Sequence, residues 1–293
     1  MNTLFIVNPA AGRGKCFRKW TQLEDLLHER ASFAFAVRLT RKSGDAENFA
    51  ITAIQEGFER IVSVGGDGTV NEIINGVAGS NVQIGILPFG TGNDLALALR
   101  LSTDYMHIVK MLESPTIKLI DIVKINERFY INAAGLGIDG QVVQNINQHP
   151  MINRLGKIGY IVSALQSVLQ FRPDKLLVTI DGHDSVLSNV WILAITNGPY
   201  FGGGMKVCPK ADLSDGWLDL CIVQNLSKWQ FFRLFPLVFS GQHVRKRQYV
   251  TTLRAKMVHI DIPNHLIMQS DGEIMKFTSV TIEIIPHGIQ MMT

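Results

Sequence analysis

The sequence predicts an α/β fold in which an N-terminal doubly wound α/β domain is followed by a C-terminal β-sandwich-like domain. Within the first hundred residues, three short apolar strands each run into a glycine-rich turn and then into a helix. This alternation is typical of a parallel sheet covered by crossover helices. After Pro115 strand patterns dominate, and 293 residues are enough to bury the cores of two domains. We expect domains at residues 1–117 and 118–285, with the active site in the cleft between them.

The elements of the first domain follow from local patterns of apolar residues. Short β-branched runs predict buried strands, and apolar residues three and four positions apart predict helices. Val70, Ile73 and Val77 have this helical spacing directly after the second glycine-rich turn. The strands are predicted at residues 3–7, 35–39, 61–64 and 84–87, and the helices at 17–27, 70–77 and 95–99.

The second domain is predicted mainly from strands. Residues 118–125 and 129–134 flank Asn126-Glu127-Arg128 as a hairpin. Two apolar helical patterns, at 155–171 and 227–240, interrupt the strands, and Pro236 breaks the second of them. The remaining strands are predicted at 176–180, 190–196, 218–223, 257–262, 266–269 and 280–285.

The turn Gly65-Gly66-Asp67-Gly68-Thr69 indicates a bound phosphate. Its glycines permit positive φ angles and let backbone N–H groups approach an anion at the start of a helix. A carboxylate in such a cradle repels phosphate, so Asp67 makes sense where a cation such as Mg²⁺ lies between the two. The sequence therefore predicts a nucleotide-phosphate loop with an acid that orients Mg²⁺.

Two further glycine-rich turns follow other strands of the predicted sheet. They are Asn8-Pro9-Ala10-Ala11-Gly12-Arg13-Gly14-Lys15 and Pro88-Phe89-Gly90-Thr91-Gly92-Asn93-Asp94. Either one alone indicates no more than a turn, but the turns that follow strands of one parallel sheet open at the same edge, where ligands bind. Asp94 orients Mg²⁺, caps its helix, or does both. Arg13 and Lys15 either contact phosphate or are exposed loop charges.

Three loops therefore occur in a fixed order: Asn8-Pro9-x-x-Gly12, Gly65-Gly66-Asp67-Gly68-Thr69-x-Asn71-Glu72 and Pro88-x-Gly90-Thr91-Gly92-Asn93-Asp94. In that order they resemble the diacylglycerol kinase catalytic-domain family, which includes bacterial soluble lipid kinases and the sphingosine and ceramide kinases. The resemblance extends through Ser270-Asp271-Gly272-Glu273 and covers nearly the whole chain. It implies phosphorylation of a lipid hydroxyl by ATP, with diacylglycerol as the first choice. It also implies that the tail 286–293 returns to the first domain.

The resemblance implies a catalytic base and a set of ATP-binding residues. Glu273 matches the family's general base, which takes the hydroxyl proton, whereas the bare sequence indicates an exposed charge beside an Asp271-Gly272 hairpin turn. Asp67 and Asp94 complete the predicted catalytic residues. Thr40 matches a family position near the nucleotide. The predicted nucleotide-binding residues are Asn8, Pro9, Ala10, Ala11, Gly12, Thr40, Gly65, Gly66, Asp67, Gly68, Thr69, Val70, Asn71, Gly90, Thr91, Gly92 and Asn93.

The resemblance also implies a second, structural Mg²⁺ site within residues 210–217. In the matching family loop, Asp215 supplies a carboxylate, and Asp212 and Trp217 supply backbone carbonyls. Family loops often carry Lys where this chain has Asp212, which leaves an additional carboxylate ligand open. Without the resemblance, the segment indicates an Asx or type I turn before the strand at 218–223.

Composition limits the partners and the location. A net charge of +3 without a dense basic arm argues against nucleic acid. Neither a signal peptide nor a run long enough to span a bilayer is evident. Cys16, Cys208 and Cys221 lack metal-binding spacing and are expected to be reduced, mostly buried thiols. The expected location is cytoplasmic, with peripheral binding to the inner face of the membrane where the lipid substrate is presented.

The apolar helical patterns leave the lipid contacts open. Those at 155–171 and 227–240 are typical of a protein core, of a homodimer surface or of an acyl-chain contact. The cluster Arg245-Lys246-Arg247 near the second suits a solvated face or an anionic membrane. No residue identifies the lipid.

Two other classes of function remain as alternatives. NAD kinases and phosphofructokinases also use Gly-Gly-Asp-Gly loops, so a kinase of a soluble substrate is the first alternative. A non-catalytic lipid or nucleotide sensor that keeps the fold is the second. The loop at 88–94 and the turn before Glu273 favour a lipid kinase over the first. The joint presence of Asp67, Asp94 and Glu273 argues against the second.

Overall fold

The computed structural model describes residues 2–148 and 166–293. The chain divides into two units, Met1–Ile122 with Pro286–Thr293, and Val123–Ile285. The predicted helix at 155–171 lies mostly outside the described residues. Within the described ranges, no helix combines the length and the apolar character needed to cross a bilayer.

The first unit contains the predicted parallel sheet. Its strands are β1 (Thr3–Val7), β2 (Phe35–Leu39), β3 (Arg60–Gly65) and β4 (Gln83–Pro88), in the spatial order β2–β1–β3–β4. Gln290 and Met291, near the C-terminus, pair in parallel with β4. The helices are α1 (Lys15–Arg30), α2 (Asp45–Gln55), α3 (Asp67–Val77), α4 (Asp94–Ala98) and α5 (Tyr105–Glu113). Of these, α2 and α5 were not predicted from the sequence.

Helix α1 illustrates how the first unit buries its core. Trp20, Leu23 and Leu27 recur at helical spacing and are buried. The Trp20 ring packs on Phe5 of β1, with the ring centroids 4.9 Å apart. Every residue of β1 and β3 is buried, as expected for parallel strands that helices cover on both faces.

The second unit is a β-sandwich-like domain in which one long strand takes part in two sets of pairings. Its strands are β6 (Arg128–Tyr130), β7 (Ala133–Gly137), β8 (Asp174–Ile180), β9 (His183–Thr196), β10 (Leu218–Gln224), β11 (Val250–Ala255), β12 (Met257–Asp261), β13 (Met268–Ser270) and β14 (Glu273–Met275), with β5 (Ile117–Ile125) from Val123 onward and β15 (Ser279–Met292) as far as Ile285. Strand β9 pairs with β8 up to Val190, and from there on with β7 and β10. Aliphatic side chains from both sets, such as Leu193 and Ile260, share one core cluster.

The predicted strand at 129–134 is divided into two strands. Strand β6 pairs with β5, whereas β7 pairs with β9 and β13. Between them, the N–H groups of Ile131, Asn132 and Ala133 donate to the carboxylate of Asp271. An acceptor about 140 residues away in the chain therefore interrupts the predicted hairpin.

Helices cover one face of β7, β9 and β10. They are α6 (Ile138–Gln148) and α7 (Lys228–Leu234), and 3₁₀ turns follow at Phe235–Val238 and Gln242–Arg245. Ser227 begins α7 with a capping box that includes Gln230. Pro236 lies at the change from α-helix to 3₁₀ turn, so the helix predicted at 227–240 is shorter than expected. Trp191 of β9 stacks on Phe231 of α7, with ring centroids 4.8 Å apart.

Candidate active site

The glycine-rich loops of the first unit begin side by side at the carboxyl edge of the sheet. Asn8 N donates to the carbonyl oxygen of Val64 at 2.9 Å, and Thr40 N donates to that of Val7 at 2.9 Å. The strand order reverses between β1 and β3. In doubly wound folds such a reversal opens a crevice at the carboxyl ends of the strands, where ligands bind.

Glycine is required where the three loops touch. A Cβ at Gly90 would lie 2.3 Å from Gly66 Cα. A Cβ at Gly12 would lie 2.4 Å from the carbonyl oxygen of Phe89. Both distances are too short for non-bonded atoms, so any side chain at these positions would force the loops apart. The structure thus brings together the three loops that the sequence placed on one edge.

Side-chain hydrogen bonds support the same loops. Asn8 Nδ2 donates to Thr69 Oγ1 at 3.1 Å, and Asn8 Oδ1 accepts from Ala10 N at 3.1 Å. Asn93 Nδ2 donates to the carbonyl oxygen of Pro88 at 2.9 Å. Thr69 is buried and Thr91 is exposed. The Thr69 hydroxyl is therefore part of the loop framework, whereas that of Thr91 faces solvent.

Asp67 and Asp94 lie close together. The sequence alone did not show which of the two carboxylates holds the start of α4. Asp67 is the first residue of α3, and its Oδ1 accepts from Leu95 N at 3.3 Å. Burial raises the pKa of Asp67, and hydrogen bonds from the first N–H groups of α4 act in the opposite direction. The N-cap of α4 is Asn93, at φ 57°, so the N-cap interpretation of Asp94 is wrong. Asp67 supplies the carboxylate at this helix start instead.

Of the charged residues next to the loops, one is hydrogen-bonded to a neighbouring helix and two are exposed. Glu72 Oε1 accepts from Ser43 Oγ at 3.1 Å, and its Oε2 accepts from Ala46 N at 3.1 Å. This glutamate therefore holds the start of α2, which the motif alone did not indicate. Arg13 and Lys15 are exposed next to the start of α1.

Glu273 lies in the second unit, after a two-residue turn. Asp271 and Gly272 have φ angles of 44° and 88°, which suit the type I′ hairpin that an Asp-Gly pair favours. The Asp271 carboxylate accepts from the N–H groups of residues 131–133 at 3.1, 3.4 and 3.1 Å. It thereby anchors the turn, and Glu273 is exposed directly after it.

The segment with the predicted structural metal ligands is acidic, and its carboxylates are partly paired. Asp215 Oδ2 lies 3.1 Å from Arg254 Nη2, and Asp219 Oδ1 lies 3.4 Å from Arg254 Nε. Asp215 Oδ1 also accepts from Trp217 N at 3.1 Å, which is an Asx turn. Among the residues that the structure describes, no three His, Cys, Asp or Glu side chains converge as metal ligands.

A carboxylate and backbone carbonyls can still hold a cation here. Asp219 Oδ2 is buried without a hydrogen-bond partner in the described chain. Burial raises the pKa of Asp219, Arg254 lowers it, and Asp215 and Asp212 raise it further. An unpaired carboxylate oxygen beside other acids fits a hard cation such as Mg²⁺, which takes oxygen ligands. Asp219 was not predicted as a ligand, although its spacing of four from Asp215 was visible in the sequence.

A small apolar pocket, with a cavity volume of about 70 Å³, lies within the second unit. It is bounded by α6, by β9 and β10, and by α7 with the turns that follow it. Two polar side chains reach it, Asp139 and His243. Asp139 Oδ1 and His243 Nδ1 are buried without a hydrogen-bond partner among the described residues. The pocket therefore offers an apolar volume with two unsatisfied polar atoms.

Asp139 was missed in the sequence. Burial raises its pKa to about 6, and a hydrogen bond from Gln269 Nε2 to its Oδ2, at 3.2 Å, acts in the opposite direction. A Cβ at Gly135 would lie 1.6 Å from Asp139 Oδ2, so the space for the carboxylate depends on that glycine. The available signal was a single acid among the glycines and apolar residues of 133–143.

Two family profiles together match almost the whole chain. Residues 2–125 match the diacylglycerol kinase catalytic domain, and residues 132–293 match the YegS C-terminal NAD kinase beta sandwich-like domain. A diacylglycerol kinase of Staphylococcus carnosus is 31% identical over 274 residues, which cover 92% of this chain and 87% of that protein. The chain belongs to the diacylglycerol kinase family.

Other members and a solved structure agree with this assignment. A diacylglycerol kinase of Mycobacterium tuberculosis is 29% identical over 254 residues, covering 85% of this chain and 81% of that protein. A crystal structure from Bacillus anthracis, assigned as a diacylglycerol kinase, superposes with a TM-score of 0.80 at 25% identity. It covers 99% of this chain and 94% of that one. The predicted fold class is confirmed, and membership of the diacylglycerol kinase family supports a lipid kinase activity that uses ATP.

Proposed function

We propose that this protein transfers the γ-phosphoryl group of ATP to the hydroxyl of diacylglycerol and so forms phosphatidic acid. The observation that carries the proposal is the contact among three glycine-rich loops at the switch point of the parallel sheet. Backbone N–H groups at such a point can hold the phosphates of ATP. Phosphoryl transfer depends mainly on neutralising phosphate charge and on aligning the acceptor oxygen.

Asp67 and Asp94 are the proposed residues for orienting Mg²⁺, directly or through water. Both lie where the second and third loops meet the starts of α3 and α4. Carboxylate oxygens are ligands that Mg²⁺ prefers, and Mg²⁺ when bound neutralises charge on the phosphates. Asp67 then serves both the metal and the start of α4, where its Oδ1 accepts from Leu95 N at 3.3 Å.

Glu273 is the proposed general base. Its carboxylate is exposed, and the turn before it is anchored by three hydrogen bonds to Asp271. Because the turn is already held in place, an exposed carboxylate on it can meet an acceptor hydroxyl with little further loss of conformational freedom. Because the transition state of phosphoryl transfer is loose, such a base mainly positions the hydroxyl, and deprotonation comes late.

A lipid is the proposed acceptor rather than a soluble molecule. The relatives from S. carnosus and M. tuberculosis are named diacylglycerol kinases, which makes diacylglycerol the first choice. A glycerophospholipid or a sphingoid base is the second choice, and we propose that the substrate is presented at a membrane surface.

The activity is tested by offering labelled ATP and Mg²⁺ to the purified protein with a panel of lipids in mixed micelles. NAD and fructose 6-phosphate are offered in separate reactions. We expect label in phosphatidic acid. Label in NAD or fructose 6-phosphate alone would replace the lipid kinase by a soluble-substrate kinase. Tight ATP or lipid binding with no labelled product in any reaction would favour a sensor.

The role of Glu273 is tested with Glu273→Gln, which keeps the shape of the side chain and removes its basicity. General bases contribute on the order of a hundred- to ten-thousand-fold in rate. We therefore expect kcat on the accepted lipid to fall by about that factor, with ATP affinity unchanged. Glu283→Gln, at an exposed glutamate of β15, is the matched control. If Glu273→Gln turns over at the wild-type rate, Glu273 is only an exposed charge beside the turn, and the general base must be sought at Asp67 or Asp94.

A further inference from the structure

The two-residue turn before Glu273 has two backbone N–H groups, and both are hydrogen-bonded. That of Asp271 donates to the carbonyl oxygen of Ala133 at 2.9 Å. That of Gly272 donates to the side chain of Gln269, at 3.0 Å from its Oε1. A side chain of β13 therefore holds the residue directly before Glu273.

Gln269 joins this turn to a buried carboxylate. Its side chain lies fully inside the second unit. The N–H group of Gly272 can only donate, so its contact assigns the oxygen of the Gln269 amide to the turn. The other end of the amide, Nε2, donates to Asp139 Oδ2 of α6 at 3.2 Å. One amide thus links α6 to the backbone of the turn.

A glycine leaves the space for this link. Gly135 of β7 lies opposite Gln269 in the pairing of β7 with β13. A Cβ at Gly135 would lie 1.6 Å from Asp139 Oδ2 and 3.0 Å from Gln269 Nε2. Because a buried polar group without a partner is unfavourable, the bond between carboxylate and amide also fixes the orientation of the Gln269 side chain.

Gln269 and Glu273 lie on different faces of the β13–β14 hairpin. In its register Gln269 is opposite Ile274, and Ser270 is opposite Glu273. Successive side chains of a strand point to opposite faces of the sheet. Gln269 therefore acts on Glu273 only through the backbone of the turn. The Glu273 side chain is exposed, so the turn rather than side-chain packing sets where its carboxylate starts.

We propose that Gln269, oriented by Asp139, is a positioning residue that fixes the turn bearing Glu273 for phosphoryl transfer. This rests on the proposed function, in which Glu273 is the general base. A general base must lie within hydrogen-bonding reach of the proton that it takes. A displacement of about 1 Å caused by a distant change can lower the rate by about a hundredfold.

The positioning role is tested with Gln269→Leu, which keeps the approximate size of the side chain and removes both hydrogen bonds. We expect kcat on the accepted lipid to fall by roughly ten- to a hundredfold, with the KM for ATP unchanged. In a Glu273→Gln background the same substitution should cause no further fall, because the base that it positions is already lost. A merely structural role would lower kcat by the same factor in both backgrounds.

The matched control is Asn126→Gly, at another turn of the second unit. Asn126 Oδ1 accepts from Thr281 N at 3.2 Å, so this variant also removes a bond from a side chain to the backbone. The φ angle of Asn126 is 50°, which glycine adopts without strain. We expect wild-type kcat from it.

An exchanged pair of substitutions decides the proposal if Gln269→Leu fails to fold. Gln269→Glu alone sets a second carboxylate against Asp139, and kcat at pH 8 should fall because the two charges repel. Asp139→Asn combined with Gln269→Glu should restore kcat. The new amide can donate to the new carboxylate, whose second oxygen still accepts from Gly272 N. Hydrogen exchange of the Gly272 amide, followed by mass spectrometry on the full chain, should rise in Gln269→Glu and return in the pair.

The outcomes separate this proposal from the proposed function. If Glu273→Gln loses turnover, the positioning role is overturned by wild-type kcat in Gln269→Leu, by equal losses in both backgrounds, or by no recovery in the exchanged pair. The general base then stands without it. If the wild type phosphorylates no lipid, or Glu273→Gln turns over at the wild-type rate, the base itself is wrong and the positioning role is overturned with it.

Discussion

At the scale of single residues, Asp139 is a buried carboxylate that is only partly hydrogen-bonded. Its carboxylate is fully buried, one oxygen accepts from Gln269, and the other has no partner in the described chain. Desolvation disfavours the charged form, which is why the pKa is raised to about 6. A polar residue kept at such a cost beside an apolar pocket is a candidate for contact with the polar end of a ligand.

The raised pKa predicts how stability depends on pH. The ordinary pKa of Asp is 3.8, so between about pH 4 and pH 6 the folded state holds this proton more firmly than the unfolded state does. The free energy of unfolding should therefore fall as pH rises through this window, by on the order of 3 kcal/mol from this group alone. Asp139→Asn should remove that slope, as measured by urea unfolding at pH 4, 5, 6 and 7.

The control for this prediction is Asp25→Asn, at an exposed aspartate of α1. It should keep the wild-type dependence on pH, since the charge of Asp25 remains in water in both states. An unchanged slope in Asp139→Asn would mean that Asp139 is ionised in the folded protein throughout this range. It would also remove the reason for assigning Asp139 a contact with a ligand.

At the scale of elements, acidic side chains connect the loop at 210–217 with strand β10. Asp215 and Asp219 share Arg254, and Asp219 Oδ2 is left without a partner among described residues. A cation bound by Asp215 and backbone carbonyls would tie the loop to the strand. This is a structural role, distinct from that of the Mg²⁺ that accompanies ATP.

We expect Mg²⁺ without nucleotide to raise the melting temperature of the wild type, because a ligand that binds only the folded state stabilises it by mass action. Each kcal/mol corresponds to about 2–4 °C for a domain of this size. Asp215→Asn should abolish the shift, as measured by differential scanning calorimetry. Asp67→Asn should retain it, since Asp67 belongs to the proposed nucleotide site. If Mg²⁺ raises the melting temperature of the wild type and of Asp215→Asn equally, the loop is an Asx turn that does not bind this cation.

At the scale of the whole molecule, an aromatic and basic surface on α7 and the following turns suits a membrane. Trp229 is 79% exposed, and Phe239 is also exposed. Arg245, Lys246 and Arg247 lie at the end of the same segment, and all three are exposed. An exposed tryptophan and exposed basic residues in one segment are typical of proteins that bind the interface of anionic membranes.

We therefore expect the protein to sediment with vesicles that contain anionic phospholipid, and to do so less as salt is raised. Burying a large apolar side chain contributes about 1.5–3 kcal/mol, so Trp229→Ala should lower vesicle binding by at least about tenfold. Met257→Ser, at an exposed apolar residue of β12, is the control and should bind as the wild type does. If vesicle binding depends neither on Trp229 nor on the salt concentration, the membrane contact lies on another surface.

Local patterns predicted the first unit well and the second unit less well. Strands β1, β3 and β4, each followed by glycine and then a helix, were readable because the signal lies within about fifteen residues. Helices α2 and α5 were missed. The split of 129–134 into β6 and β7 could not be read locally, because the acceptor that causes it, Asp271, lies about 140 residues later.

The same distinction holds for the candidate site. The sequence by itself determined the glycine-rich loops, their order and the Asp-Gly turn before Glu273, because backbone sterics at such positions depend on residue type. Only the tertiary structure decided that Gly12, Gly66 and Gly90 are contact points between loops, that Asp67 serves the start of α4, and that Asp139, Cys221 and His243 line one pocket. Burial and long-range contact create these properties, and neither is a function of the residue and its immediate neighbours.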